Sequence, residues 1–239
     1  GDFDNDGLND LFICAPYVSI GGASNAGAVY IYYGVAGDGI GRDASTDDRL
    51  PSIKPDVALF GSDNAQLCTT GLAVGAAGDD LLVTTNLFDG QYQKLLGFES
   101  SGNRDRFPVS PPDTTIVEVD ASQSGPGNIN QPDFILQGRS DSVGFPYPVE
   151  ATDLNGDGVS DIAVADPFYD RHGCSGCRTG EVYIFRGGSG LVGTVDYADN
   201  DPAQLAHIIH PDASASGNSA FGTFMENVPS PRSADAGDW

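Results

Sequence analysis

Two stretches of this chain share one order of features, and that repeat limits the possible folds more than any other property of the sequence. Each stretch has an Asp-rich turn, an apolar run, a proline, a loop, and a run of the form Gly-x-Val-Tyr-Ile. The first copy occupies residues 1–17 and 27–34, and the second occupies residues 152–169 and 180–188. A recurring unit of this size is typical of architectures in which each unit buries its faces only against its neighbours.

A third, weaker copy lies between the two strong ones. An ungapped alignment gives Asp80 the place that Asp10 and Asp161 hold ahead of an apolar run, and these aspartates are 70 and 81 residues apart. The repeat also has an upstream half, which occurs three times in the chain. These upstream halves lie at residues 59–75, 135–153 and 207–228.

Short apolar runs between turn-forming residues dominate the chain, and amphipathic helical periodicity is nearly absent. One repeat contains four such runs, and four strands per period of this length are the pattern of a propeller blade. We therefore predict an all-β fold, a β-propeller of four-stranded antiparallel blades. The clearest predicted strands are Leu11–Ile13, Ala28–Tyr33, Leu81–Thr84, Ile116–Val119, Phe134–Leu136, Ile162–Ala165 and Glu181–Phe185.

We expect residues 1–239 to form a single partial β-propeller of about three to four blades. Such a number does not close a ring of the usual 4–8 blades. The missing blades are expected from further residues of a longer protein, or from another copy joined head to tail. The predicted units are 1–55 (second half of a blade plus linker), 56–132 (degenerate blade with a long loop at 97–131), 133–206 (complete blade with the second Asp-rich turn) and 207–239 (first half of a blade).

The charge of the chain narrows its possible partners. Asp and Glu number 34 against 11 Lys and Arg, which gives a formal net charge of −23. Such a surface repels phosphate backbones and anionic lipid, and no basic cluster offsets the repulsion. No stretch approaches 18 apolar residues, so direct membrane insertion is not expected. The remaining partners are other proteins and cations.

The first Asp-rich turn has the spacing of a calcium loop. Asp2, Asp4, Asp6 and Asp10 place carboxylates at positions 1, 3, 5 and 9, and Leu8 offers its backbone carbonyl at position 7. Alternate residues converge when the chain curls tightly, and the glycine at position 6 permits the backbone angles of that curl. The ligand set contains hard oxygens alone, which favours Ca²⁺.

The second turn repeats the pattern, so two Ca²⁺ sites are expected. Asp153, Asn155, Asp157 and Asp161 hold the side-chain positions, and Val159 offers the carbonyl. A strand follows each loop, and position 12 is apolar in both copies, so neither loop is an EF-hand. The alternative is an Asx-rich turn without metal, because Asp, Asn and Gly favour turns in any case.

The middle copy serves as an internal comparison. In the ungapped alignment Leu72, Val74 and Ala76 replace the first three ligands, and Asp80 alone is kept. We therefore expect no calcium at that position.

The four cysteines and three histidines of the chain do not form a recognisable catalytic motif. Cys174 and Cys177 lack the further ligands of a zinc site and the helix of a redox motif, so a local disulfide is expected. Cys14 and Cys68 lie on apolar strands of consecutive repeats and fit either buried thiols or a disulfide. His207 and His210 flank an apolar pair and fit ordinary strand positions.

The combination of these loops with Gly-x-Val-Tyr-Ile strands resembles the FG-GAP repeat of integrin-α-like β-propellers. "FG" stands as Phe221-Gly222 and is degenerate at Val143-Gly144-Phe145, and "GAP" is imperfect at Cys14-Ala15-Pro16 and Ala165-Asp166-Pro167. The resemblance implies a seven-bladed propeller, calcium on its lower rim, protein partners at its upper face or edge, and an extracellular or cell-surface location.

A calcium-binding extracellular module for adhesion, protein–protein interaction or surface assembly of glycoproteins is the function that these features favour. The chain is then not an enzyme. Two alternatives stay open: a non-catalytic accessory propeller of a secreted hydrolase, as in some phospholipases, and a repeating unit of an extracellular filament. The partner is another protein, or another copy of the chain that completes the propeller.

Overall fold

The structure, a computed structural model, consists of strands, turns and loops in the part of the chain that it describes. No helix there is long and apolar enough to cross a membrane. The described residues are 1–4, 6–37, 39–40, 54–74, 80–88, 92–99, 114–125, 129–138, 144–169, 178–188, 191, 193–196, 205–211 and 219–226. Their strands are β1 Leu11–Ala15, β2 Ala28–Tyr32, β3 Gly34–Val35, β4 Gly39–Ile40, β5 Val57–Phe60, β6 Gly71–Val74, β7 Asp80–Phe88, β8 Tyr92–Phe98, β9 Thr115–Glu118, β10 Phe134–Gln137, β11 Val149–Thr152, β12 Asp161–Asp166, β13 Glu181–Phe185, β14 Gly193–Asp196 and β15 Leu205–Ile209.

Three sheets account for most of these strands, and we call them the first, middle and last blade. The first blade has the order β1-β2-β5-β9, the middle blade β6-β7-β8-β10-β14, and the last blade β11-β12-β13-β15. Strands β3 and β4 form a separate two-stranded hairpin. Neighbouring strands within a blade are antiparallel except at one edge of the first blade and one edge of the middle blade. The predicted all-β fold is confirmed, with blade-like, mostly antiparallel sheets of four to five strands, and the described sheets form a partial, open propeller.

The middle blade is buried on both faces because alternate side chains of a strand point to opposite sides of the sheet. Leu81 and Val83 of β7 enter the core shared with the first blade. Leu82, between them, enters the core shared with the last blade. All three side chains are buried, which explains why this segment reads as a continuous apolar run. The hydrophobic cores therefore lie between neighbouring blades, where their sheets pack against each other.

Two blades end in a parallel strand, which differs from the antiparallel blades that the sequence predicts. Strand β9 pairs in parallel with β5, and β14 pairs in parallel with β10. In each case the chain leaves its own blade after the third strand, adds a strand to the preceding blade, and returns to form its own next strand. The long segment at 97–131, expected to be an insertion, supplies β9. We call the edge of each blade that ends in β9, β14 or β15 its far edge.

The strands predicted from short apolar runs are confirmed, and each predicted run overlaps one of the strands described above. The sheets are offset from the sequence repeats by one strand. Strand β5 opens the unit 56–132 but pairs with β2 of the first blade, and β10 likewise joins the middle blade.

The ungapped alignment of the middle copy is wrong at two positions. Leu72 and Val74 belong to strand β6, where Val74 pairs with Asp80. In the last blade the equivalent pair is Thr152 and Asp161. Five residues separate the first pair and eight separate the second. The middle copy therefore has a shorter loop, rather than a loop of equal length with apolar ligand positions.

A disulfide joins the first two blades. Cys14 on β1 is bonded to Cys68, which precedes β6, and their Cα atoms are 5.3 Å apart. This settles the open choice between thiols and a disulfide for the pair. Gly71 lies against the bond, since a Cβ there would come within 3.2 Å of both sulfur atoms. The expected disulfide between Cys174 and Cys177 lies outside the described residues.

Candidate metal centres

The first Asp-rich loop is folded by its own carboxylates. The two oxygens of Asp2 accept hydrogen bonds from the N–H groups of Asp6 and Gly7, both at 3.0 Å. Asp4 Oδ1 accepts from the Asp6 N–H at 3.2 Å, and Asp6 Oδ1 accepts from the Leu8 N–H at 2.8 Å. Each carboxylate thus binds a backbone donor two to five residues later, which curls the chain around the side-chain oxygens.

Asp10 closes this loop at the start of β1. Its Oδ2 accepts from the Phe3 N–H at 2.6 Å, and its Oδ1 accepts from the Gly34 N–H at 2.8 Å. Burial raises the pKa of Asp10 from 3.8 to about 6, and the nearby charge of Asp4 also raises it, although three backbone donors, those of Gly34, Phe3 and Asp4, lower it. The metal-free loop therefore holds a carboxylate that is costly to ionise.

Three carboxylates of the first loop converge on one point. Oxygen atoms of Asp2, Asp4 and Asp10 all lie within 4.8 Å of one another, and Asp4 and Asp10 are buried. Asp6 is exposed and does not belong to this group. The donor set is composed of hard oxygens, which fits a divalent cation such as Ca²⁺. The carbonyl of Leu8 as a ligand stays a prediction.

The second loop reproduces the same hydrogen bonds. Asp153 accepts from the N–H groups of residues 156, 157 and 158 at 2.6–3.1 Å, and these donors, chiefly that of Gly158, lower its pKa. Asn155 Oδ1 accepts from the Asp157 N–H at 2.8 Å, and Asp157 Oδ1 accepts from the Val159 N–H at 2.8 Å. The Val159 carbonyl, like that of Leu8, stays a predicted ligand.

Asp161 holds the place of Asp10. It accepts from the N–H groups of Leu154 and Gly187, both at 3.1 Å, as Asp10 does from Phe3 and Gly34. Equivalent residues therefore make equivalent contacts in the two loops, 151 residues apart in sequence. This agreement shows that the loops are two copies of one local structure.

The two loops also differ. Among the described residues, no three carboxylates of the second loop converge as they do in the first. Asn155 stands where Asp4 stands, and its Nδ2 lies 3.4 Å from Asp161 Oδ1 as a donor. The second loop thus holds one negative charge fewer.

The two loops also differ in how firmly their second residue is anchored in the hydrophobic core. Phe3 is 5% exposed and belongs to the core between the first and middle blades, with its ring centroid 6.0 Å from that of Phe12. Leu154, at the same loop position, is 53% exposed. The first loop is therefore tied to a joint between blades through its second residue, and the second loop is not.

Gly34 and Gly187 are site residues that the sequence reasoning missed. Each donates its N–H to the last aspartate of its loop. A Cβ on Gly34 would lie 2.6 Å from the Asn9 carbonyl oxygen, and one on Gly187 would collide with the Ser160 carbonyl. Only glycine lets the backbone approach so closely. The available signal was the glycine that follows the Val-Tyr-Ile strand in both copies.

Comparison with known proteins agrees with this geometry. The FG-GAP repeat model matches residues 1–32 and 145–185, which include both Asp-rich loops and the strands that follow them. Integrin alpha ina-1 of Caenorhabditis elegans is 40% identical to this chain over 57 residues. That match covers 24% of this chain and 5% of the relative. In the two segments that the repeat model matches, each with an Asp-rich loop at an equivalent corner of a blade-like sheet, the chain is similar to the FG-GAP repeat, and over 57 residues it is similar to an integrin alpha subunit.

Proposed function

We propose that this chain is a calcium-braced, extracellular β-propeller module that mediates adhesion or assembly between proteins. The observation that carries the calcium part is the convergence of Asp2, Asp4 and Asp10 within 4.8 Å at the head of β1. By Coulomb's law, each pair of ionised carboxylates at such a distance repels by about 4 kcal/mol at an effective dielectric near 20. A divalent ion converts that repulsion into attraction.

Two ions are proposed. Residues Asp2, Asp4, Asp6 and Asp10 would hold the first ion together with the Leu8 carbonyl. Asn155 and three aspartates of the second loop would hold the second ion together with the Val159 carbonyl. The ligands of the second ion are Asp153, Asn155, Asp157, Val159 and Asp161. Because the second loop has fewer carboxylates, its affinity is expected to be the weaker of the two.

The ions act as braces. Asp10 is hydrogen-bonded to Gly34, two positions beyond the end of β2, and the first loop enters the core between blades through Phe3. Fixing the loop would therefore fix the relative positions of β1, β2 and the joint with the middle blade. Asp161 and Gly187 would do the same for β12 and β13 in the last blade.

The location and the absence of catalysis are parts of the proposal. A disulfide between Cys14 and Cys68 favours an oxidising compartment, and the relative's name describes an integrin subunit. The carboxylates that cluster here are engaged by backbone donors of their own loops, which favours a binding role over acid–base chemistry. The partner is proposed to be a protein, because the net charge of −23 disfavours nucleic acid and anionic lipid.

Calorimetric titration with Ca²⁺, combined with thermal unfolding, tests the proposal. The wild-type chain should bind two ions and lose thermal stability in EDTA. Asp4→Asn should remove or weaken the first site, whereas Glu226→Gln, an exposed acid outside both loops, should bind like the wild type. Unchanged melting temperatures in EDTA and in excess Ca²⁺ would rule out a bracing role.

A further inference from the structure

The parallel strands at the far edges of the first two blades share a sequence class. Strand β9 reads Thr-Ile-Val-Glu and β14 reads Gly-Thr-Val-Asp, so both end in valine followed by an acid. Val117 and Val195, the third residues, are 7% and 5% exposed. They enter the two cores between blades. Valine in this place therefore anchors the added strand.

Both added strands bind in one register. Val117 lies beside Leu59 of β5, and Val195 lies beside Leu136 of β10. Backbone hydrogen bonds extend the ladder, with the Thr115 N–H donating to Asp56 O at 2.9 Å and the Val119 N–H donating to Phe60 O at 2.8 Å. At the far edge of the middle blade, the Gly193 N–H donates to Asp133 O at 3.2 Å. The far edge of a blade is thus a repeated docking position.

Strand β15 forms the far edge of the last blade. Ile209 pairs with Val182 as Leu59 pairs with Val29, which makes Ile209 the equivalent of Leu59. Within the described ranges β13 is the strand that pairs with β15, which lies at the end of its sheet. Leu59 and Leu136 are 0% exposed and lie, together with the valines of the added strands, in the cores between blades, whereas Ile208 and Ile209 are both 43% exposed.

We propose that the far edge of β15 binds, in parallel, a strand of another FG-GAP-type blade with the sequence class Xaa-Xaa-Val-Asp/Glu. The main chain of β15 supplies the ladder, and Ile209 supplies the apolar seat for the valine. This is strand addition to a sheet edge, in which backbone pairing gives affinity and one pocket gives specificity. The occupant is inferred from the two strands that already fill the same position on the other blades.

The register predicts a further contact. Glu118 lies beside Phe60 in the first blade, and the residue equivalent to Phe60 after β15 is His210. The acid that ends the bound strand would therefore lie beside an exposed histidine. The proposed strand binding does not depend on calcium. An experiment can therefore refute the strand binding without refuting the calcium sites, or refute the calcium sites without refuting the strand binding.

Disulfide trapping on the full chain tests the proposed register. The probe is a synthetic peptide of residues 113–120 that carries Val117→Cys, and the protein carries Ile209→Cys in a Cys174→Ser, Cys177→Ser background. The matched control protein carries His207→Cys, which is exposed and lies two residues earlier on the same face of β15. We expect capture at position 209 to be at least about tenfold faster than at 207, because bound thiols have a high effective concentration. Equal capture at both positions, or none above a scrambled peptide, would overturn the proposal.

Hydrogen exchange gives a second readout without added cysteines. The unmodified peptide at millimolar concentration should slow the exchange of β15 amides, whereas a peptide with Val117→Asp should not. Protection by both peptides would indicate unspecific edge pairing and would overturn the proposed valine seat. Circular dichroism of the Ile209→Cys and His207→Cys proteins verifies that both keep the wild-type fold.

Discussion

Asp10 Oδ1 accepts a hydrogen bond of 2.8 Å from the N–H of Gly34, although the two residues are 24 positions apart. The last aspartate of the first loop is therefore fixed by the first residue of β3, two positions beyond the end of β2. The same contact recurs between Asp161 and Gly187 in the last blade. Each candidate metal centre is thus built across two neighbouring strands rather than within one loop.

Gly34→Ala should weaken the first calcium site. The added Cβ would lie 2.6 Å from the Asn9 carbonyl oxygen, so the backbone must retreat and lengthen the bond to Asp10. We expect a loss of about 1–3 kcal/mol in the free energy of unfolding, as for other overpacked positions. Calorimetry should show weaker binding at one site and unchanged binding at the other. Two unchanged sites in a folded variant would contradict the role of Gly34.

Calcium binding at the first site should fall as the solution becomes acidic. The pKa of Asp10 is about 6 when no metal is bound, and calcium requires the ionised carboxylate, so protons compete with the ion. One competing proton with this pKa weakens the apparent affinity about tenfold between pH 7 and pH 5. Titrations at pH 5, 6 and 7 measure the effect. The second loop should resist this change, since the pKa of Asp153 is lowered.

The metal-free chain should respond to pH in the opposite sense. Because the pKa of Asp10 is higher in the folded state than its ordinary value of 3.8, the folded state binds this proton more tightly. Its contribution to stability grows as pH falls from about 6 towards 4, and it is lost as pH rises through that window. Urea unfolding in EDTA measures it. An Asp10→Asn variant should lack this part of the pH dependence.

Phe3 and Leu154 form a matched pair for mutation. They hold the same loop position, but Phe3 is 5% exposed and Leu154 is 53% exposed. Phe3→Ala should cost about 3–5 kcal/mol, because it leaves a cavity between two blades. Leu154→Ala should change the free energy of unfolding by less than about 0.5 kcal/mol. Equal costs in urea unfolding would contradict the different anchoring of the loops.

Loss of the disulfide should destabilise the joint between the first and middle blades. Cys14 and Cys68 are separated by 54 positions, and closing a loop of that length is worth about 4 kcal/mol in the chain-entropy treatment, with about 2–4 kcal/mol usual in practice. Cys14→Ala and Cys68→Ala, singly and together, should cost similar amounts, because each removes the same bond. Free thiols in the untreated wild-type protein at these two positions would contradict the bond.

The strands and the loops could be predicted from sequence because their signals are local. Apolar runs between turn residues identified β1, β2, β7, β9, β10, β12 and β13, and ligand spacing identified both loops within nine residues each. The aspartates also determine the local fold directly, since their oxygens accept the backbone donors that follow them.

What sequence reasoning missed depends on distant pairing. The parallel contact of β9 with β5 joins residues 58 positions apart, and a strand's own pattern does not name its partner. Gly34 and Gly187 act on aspartates 24 and 26 positions away. An ungapped alignment misplaces Leu72 and Val74, because the shorter loop of the middle copy is defined by the register of β6 and β7 rather than by a local sequence signal. The pairing of Cys14 with Cys68 needed the packing of two blades.

The crossing of β9 and β14 to the preceding blade has a consequence for how the molecule comes apart. The edge strand of the first and of the middle blade is supplied by the chain segment that forms the following blade. Unfolding of one blade therefore releases a strand that is connected to the next, so the three sheets should unfold in one cooperative step. Cutting the gene between sequence repeats would strip one sheet of a border strand and leave the other with a stranded segment. Because the three sheets overlap along the chain, any cut between β1 and β15 divides at least one of them, so the three should be expressed together.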